Sequence, residues 1–243
     1  MYGKEGFYLL ALQNVCVSYG TKQILTNINL QLQNHKIYAI LGKSGCGKST
    51  LLQTLAGIQP YTGSITLQNK KLDSRRHRIA FIPQKNSLIP WQTVEQNIRM
   101  PFSLRQLPQP QHLENLCQEL GIHTLLPKYS NHISGGEQQR VAIARAFLFT
   151  PDLLLMDEAF SALDAITKEE VHHIFAATIA KHKVSTLFVT HDISEALYLA
   201  EEIYVLRDGK LQKPFDKNEL FGQDKEDFPI EYQAMIRFYK EQI

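Results

Sequence analysis

Residues Gly42 to Thr50 read Gly-Lys-Ser-Gly-Cys-Gly-Lys-Ser-Thr, a G-x-x-x-x-G-K-[ST] pattern that serves one chemistry, the holding of a nucleoside triphosphate. Gly42, Gly45 and Gly47 let the backbone curl so that several N–H groups point at phosphate oxygens. The helix that follows adds its positive end. Lys43, Ser44 and Cys46 fill the variable positions. Lys48 is of the right length to reach the β- and γ-phosphates, and the Ser49 hydroxyl is a ligand for Mg²⁺. A plain glycine-rich turn has no use for a lysine followed by a serine. An apolar run, Lys36 to Leu41, leads in and a helical run, Thr50 to Ala56, leads out, which is the strand–loop–helix frame the motif requires.

Two further groups of residues carry chemistry. Leu153-Leu154-Leu155-Met156 reads as a buried strand ending in Asp157 and Glu158. Ligands gather outside the carboxyl ends of strands in an open parallel sheet, so Asp157 is placed to hold Mg²⁺ through its water shell. Glu158 is placed to orient or deprotonate an attacking water. Farther upstream, Ser134-Gly135-Gly136-Glu137 opens a helix over 135–148, with Ser134 and Glu137 spaced as a capping box. Capping does not account for two consecutive glycines in a first turn, each costing about 1 kcal/mol against alanine. Bare backbone at a helix start binds anions, and a capped helix can do both.

The elements that position these residues follow from periodicity. Leu9–Tyr19 and Ile24–Leu32 read as antiparallel strands with a turn at Gly20-Thr21. Gly63–Leu67 and Ile79–Ile82 are strand-like. From about Val94 to Phe149 the pattern is helical, broken by Pro101, Pro108, Pro110 and Pro127. Strands return at Leu153–Met156, Ser185–Val189 and Ile203–Leu206, with helical segments between. Alternation of strands with helices predicts an α/β fold built on a mostly parallel sheet.

With these pieces in place the chain resembles the ATP-binding-cassette ATPases over nearly its whole length. Tyr19 in Val17-Ser18-Tyr19-Gly20 matches the aromatic that stacks on adenine, and Gly42–Thr50 matches the Walker A loop. Gln84 after Pro83 matches the Q-loop glutamine, Ser134-Gly135-Gly136 the signature, and Leu153–Glu158 the Walker B strand. Ser161-Ala162-Leu163-Asp164 matches the D-loop, and His191 the switch histidine. The signature departs from the usual pattern at Ile133 and Glu137. The resemblance implies a P-loop NTPase core with an antiparallel β subdomain and an inserted α-helical subdomain. It implies one ATPase domain over 1–243: core at about 8–84 and 150–216, helical subdomain about 85–149, tail 217–243. Glu158, His191, Lys48 and Gln84 take catalytic roles; Ser49, Gln84 and Asp157 hold Mg²⁺; Tyr19, Gly42–Thr50 and Ser134–Gly136 bind ATP.

What the resemblance further implies is a partnership. Two cassettes close head to tail, each signature sealing the other's phosphates, most simply as a homodimer. Integral membrane permease subunits and a solute-binding protein complete the machine, with this chain at the cytoplasmic face of the membrane. Leu88-Ile89-Pro90-Trp91 is similar to the importer branch for nitrate, taurine, alkanesulfonates and pyrimidine precursors. The alternative is an exporter of lipid, lipoprotein or drug, whose signature often carries the same Ser-Gly-Gly-Glu-Gln-Gln-Arg string. Trp91, the only tryptophan, is either a core residue of the helical lobe or an exposed anchor for a permease helix.

Composition bounds the rest. Acids and bases nearly cancel, 24 against 26, so there is no footprint for nucleic acid. Arg75-Arg76-His77-Arg78 is expected to be a solvated turn. Cys16, Cys46 and Cys117 lack metal spacing and suit a reducing cytosol. No apolar run reaches the ~18 residues a membrane span needs. Phe228, Tyr232, Met235, Ile236, Tyr239 and Ile243 share one helical face, expected to pack on the chain's own domain or else to meet a second copy or a partner. Cys46 lies inside the phosphate loop, so its alkylation is expected to block ATP binding; unchanged turnover after complete, mass-verified modification would refute this.

Overall fold

Along the first two long segments buried side chains recur mostly at every second residue: Leu10 and Leu12, then, past a register shift, Val15 and Val17, and later Ile28, Leu30 and Leu32. The computed structural model describes residues 8–73, 75–85, 87–212 and 215–216. In chain order its elements are β1 (Tyr8–Tyr19), β2 (Lys22–Gln33), β3 (Ile37–Leu41), α1 (Lys48–Leu55), β4 (Thr62–Leu67), β5 (Lys70–Lys71) and β6 (Ile79–Ile82). Then come α2 (Val94–Arg105), α3 (Leu113–Glu119), α4 (Gly135–Leu148), β7 (Leu153–Asp157) and α5 (Ala165–His182). The last are β8 (Thr186–Thr190), α6 (Ile193–Leu199), β9 (Glu202–Arg207), β10 (Lys210–Leu211) and β11 (Phe215–Asp216). Short 3-10 turns lie at His123–Leu125 and Ser130–His132.

The chain forms two compact units, residues 1–77 with 185–243, and residues 78–184. In the first, β1 pairs antiparallel with β2 and β4. There β3 runs parallel to β8 and β9, with partners on both edges and Tyr38–Leu41 fully buried. A strand covered in this way carries an uninterrupted apolar run instead of an alternating one, which is why Ile37–Leu41 reads as it does. In the second unit, β6 and β7 pair in parallel, and α2 and α5 pack with the long α4. Phe160, Phe175 and Phe147 fill its core; Phe147 meets Phe175 edge-on at 6.3 Å between centroids. The mixed parallel and antiparallel pairing with intervening helices is the expected α/β class.

Four expectations fare differently. Pro101 does not break the helix but sits inside α2. Burial of Ile98 and Phe102 on the adjoining turns outweighs the backbone bond that proline cannot make. Arg75 and Arg76 are exposed as expected of a solvated turn, but His77 is buried, its Nδ1 3.2 Å from the Asp73 amide nitrogen. Trp91 is no core residue, being 76% exposed. The amphipathic face at Phe228–Ile243 lies outside the described residues. Among the described residues no helix is long and apolar enough to cross a membrane.

The start of α2 is fixed by its own capping box: Thr93 Oγ1 accepts from Gln96 N at 3.2 Å, and Gln96 Oε1 accepts from Thr93 N at 2.9 Å. Thr93→Ala removes half of this box and is expected to lower stability by about 1 kcal/mol in urea unfolding, with an unchanged m-value.

Candidate active site

In the unit of residues 1–77 and 185–243, Leu41 at the end of β3 pairs in register with Thr190 at the end of β8. The phosphate loop and His191 therefore leave neighbouring strands side by side, outside their carboxyl ends. Gly47 caps α1 with φ 109°, and a Cβ there would lie 2.8 Å from Leu25 Cδ2, so glycine is required twice over. Lys48 is 95% shielded, and its Nζ donates to the carbonyl oxygens of Gly42 at 2.8 Å and Lys43 at 3.1 Å. Its ammonium is thus held across the loop by the loop's own backbone. Lys43, Ser44, Gly45 and Ser49 are exposed, Gly42 is buried, and Cys46 and Thr50 are half-buried. Burial pushes the Cys46 thiol upward, opposed by the Lys48 charge beside it. Tyr19, at the end of β1, keeps its ring about half exposed.

His191 is exposed, and the backbone after it is tightly tied. Asp192 is the N-cap of α6; its Oδ1 accepts from Ser194 N at 2.9 Å and Glu195 N at 3.3 Å. Thr190 Oγ1 accepts from Asp192 N and donates to the buried Glu195 carboxylate at 2.9 Å. These bonds fix where the chain turns as it carries His191 off the strand.

In the unit of residues 78–184, Ile82 of β6 pairs with Met156 of β7, so Gln84 and the acids emerge from adjacent strand ends. Gln84 Nε2 donates to Glu158 Oε2 at 3.2 Å. Asp157 ends β7 almost fully buried, whereas Glu158 is half-buried. Glu158 has φ 44°, a left-handed conformation that costs a non-glycine residue about 1 kcal/mol or more. Ser161 secures it: its amide and hydroxyl both donate to the Glu158 carbonyl, at 3.1 and 2.8 Å.

The same unit holds the glycine pair. Both halves of the expected capping box are present: Ser134 N donates to Glu137 Oε2 at 2.7 Å, and Glu137 N to Ser134 Oγ at 3.3 Å. The Ser134 amide holds the Glu137 carboxyl below the usual carboxylate range. The two glycines differ. A Cβ on Gly136 would run into Thr167 Cγ2 of α5, so glycine there lets two helices approach. A Cβ on the exposed Gly135 would meet only Leu163, at 3.8 Å. Among the described residues, none requires glycine at 135.

Sequence reasoning missed the polar side chains that brace this unit: the buried Asn97, Ser130 and Arg145, and the half-buried Gln138. Asn97 and Arg145 interrupt otherwise apolar helical faces, and that interruption was the available signal. Arg145 is nine-tenths shielded and donates to the Ser87 carbonyl at 2.9 Å and to its hydroxyl.

A phosphate loop at a parallel strand end, together with an acid pair at another, defines a P-loop nucleoside triphosphatase. The ABC transporter family model matches residues 25–161, and the chain belongs to that family, as one of its ATP-binding ATPases. The aliphatic sulfonates import ATP-binding protein SsuB of Bacillus anthracis is 37% identical over 209 residues, 85% of this chain and 83% of that protein. The taurine import ATP-binding protein TauB of Escherichia coli (strain K12) is 36% identical over 205 residues, 83% of this chain and 80% of that one. Among solved structures, cbiO1 from Clostridium perfringens superposes with a TM-score of 0.78 at 24% identity, covering 97% of this chain and 99% of its own, and so shares the fold.

The contrast between the glycines predicts opposite outcomes. Gly135→Ala keeps or gains stability, up to about 1 kcal/mol, yet loses ATP turnover; Gly136→Ala lowers the melting temperature as well. The raised Cys46 thiol predicts iodoacetamide labelling at neutral pH slower than that of free cysteine, with a rate that keeps rising above the free thiol's midpoint.

Proposed function

We propose that this chain is the ATP-hydrolysing subunit of an importer for a small sulfonate-like solute, working as a head-to-tail pair at the cytoplasmic face of the membrane. The observation that carries the catalytic half is the Gln84–Glu158 hydrogen bond at the end of β7, which places an amide against the acid positioned as base. The cargo half rests on the named relatives, which serve sulfonate and taurine import; the exporter alternative draws no support from them. Residues 1–243 act as one ATPase domain, with about 85–149 as its helical lobe and 217–243 as a tail.

In this reading Tyr19 stacks on adenine and the Gly42–Thr50 backbone cradles the phosphates. Lys48 exchanges its carbonyl partners for phosphate oxygens. Glu158 takes the proton of the attacking water, and His191 contacts the γ-phosphate from the adjoining strand end. Mg²⁺ would be held by the Ser49 hydroxyl, the Gln84 amide oxygen and, through water, Asp157. These are hard oxygen donors with a single acid among them, which suits an ion that keeps several waters. Gln84 donates through Nε2, which leaves Oε1 as the ligand atom. When bound, the ion neutralises charge on the phosphate oxygens. No group of three His, Cys, Asp or Glu suited to a metal occurs among the described residues.

Ser134, Gly135 and Gly136 serve the second copy's nucleotide, which accounts for a glycine at 135 that no described residue of its own chain requires. ATP bound between two copies favours the closed pair by its differential affinity for that state, and hydrolysis removes the preference. Permease subunits engage the unit of residues 78–184. Trp91 stands exposed in that unit, which also holds a cavity of about 410 Å³ lined by Phe81, Met100, Leu104, Ala142, Ala146 and Phe149. A solute-binding protein delivers the cargo on the far side.

Glu158→Gln tests the reading. It should lower turnover about 10²–10⁴-fold while ATP shifts the purified protein to a dimer on gel filtration. Hydrolysis at the native rate would remove Glu158 from its role as base, and a monomer at saturating ATP would remove the paired site.

A further inference from the structure

Between the acids and the signature, the unit of residues 78–184 contains a polar network that the catalytic reading does not use. Asn97, on α2, is fully buried and uses both ends of its side-chain amide. Its Oδ1 accepts from Ile89 N at 2.7 Å. Its Nδ2 donates to the carbonyls of Ile89, Gln92 and Thr93 at 3.1, 3.3 and 3.0 Å. One side chain thereby closes the loop that presents Pro90 and Trp91 to solvent. A buried amide of this kind defines one loop shape, because any other shape leaves its donors or acceptor unmet.

The clamp does not end at the loop. Ser130 is buried as well; its hydroxyl donates to Ile89 O at 2.7 Å and its amide to Gln92 O at 3.1 Å. The Ser130 carbonyl in turn accepts from Gln138 Nε2 at 2.9 Å, and the same amide reaches Ile133 O at 3.2 Å. Ile133 directly precedes Ser134. A continuous run of hydrogen bonds therefore leads from the Trp91 loop through Ile89, Ser130 and Gln138 to the residue before the nucleotide-sealing serine. Arg140, two residues beyond Gln138 on α4, pairs with Glu170 of α5 at 2.5 Å and anchors the helix on which the run ends.

We propose that Ser130 and Gln138 are positioning residues that tie the Trp91 loop to the signature turn, so that engagement of Ser134 by nucleotide alters the shape of residues 87–93. The proposal rests on the paired-ATPase reading above. It adds that the signal runs through these two side chains. Ser130 is the junction, since its hydroxyl and amide hold the loop while its carbonyl is held from α4. Gln138 is the strut, since one amide spans the Ser130 and Ile133 carbonyls. Neither touches nucleotide, and neither is needed for the phosphate loop to fill.

Hydrogen–deuterium exchange on the full chain carrying Glu158→Gln, with and without ATP, tests this. Exchange over residues 42–50 reports occupancy, and exchange over residues 87–93 reports the loop. With the network intact, ATP should change exchange in both segments. With Ser130→Ala or Gln138→Met added, ATP should still slow residues 42–50 and still drive dimer formation, but its effect on residues 87–93 should be lost. Gln138→Met keeps side-chain length and apolar packing, so it serves where Ser130→Ala disturbs the fold. An undiminished response at 87–93 in both variants would overturn the proposal, as would an ATP-silent loop in the parent protein. If ATP neither protects 42–50 nor pairs the parent protein, the paired-ATPase reading itself fails.

Discussion

In each unit, the placement of the candidate residues depends on the register of one parallel strand pair. Leu41 lies opposite Thr190, and Ile82 opposite Met156, so each pair releases its functional residues at one level. A slip of one residue in either pairing would turn every side chain to the other face and separate the groups that must meet. Such slips are opposed by burial, because Tyr38–Leu41, Leu153–Asp157 and Thr186–Thr190 have no exposed residue to trade for a buried one. The apolar core therefore sets the positions of Lys48, His191, Gln84 and Glu158, while the polar groups themselves adjust only the last ångström. Glu158 shows this division. Its left-handed backbone is locally unfavourable and persists because Ser161 ties down its carbonyl and β7 anchors the residue before it.

The glycine pair at α4 shows two physical demands that look identical in sequence. At 136 the demand is internal, set by the approach of α5 through Thr167. At 135 no described residue sets such a demand, since Leu163 leaves ordinary van der Waals room. A helix start that gives up propensity without an internal reason marks a place where something else must approach the backbone. The capping box beside it offsets part of that loss and orients the turn, so stability and binding share the same few residues.

How much of this could be read from residue order follows from the range of each interaction. The phosphate loop and the Ser134–Glu137 box were legible because each closes within a few residues, and the strands were legible from their apolar runs. Pro101 inside α2 was not, since the packing that retains it comes from distant chain. Burial of His77 was missed for a different reason: four successive basic residues look uniformly solvated until the Asp73 turn folds over one of them. Asn97 was missed altogether. Its four bonds are made to a loop whose conformation exists only once the helical lobe is assembled, and an asparagine in a helical pattern carries no sign of that.

That last case bears on where specificity resides in such an ATPase. The nucleotide chemistry is set by strand ends and cannot vary much without loss of turnover. The Trp91 loop is constrained differently, because its shape is imposed from beneath by Asn97, Ser130 and Arg145 while its outward residues, Pro90 and Trp91, bear little packing of their own. Substitution at those outward positions changes the surface offered to a partner without disturbing the clamp. A fixed scaffold under an exposed tip thus separates the surface that the loop offers from the bonds that hold its shape.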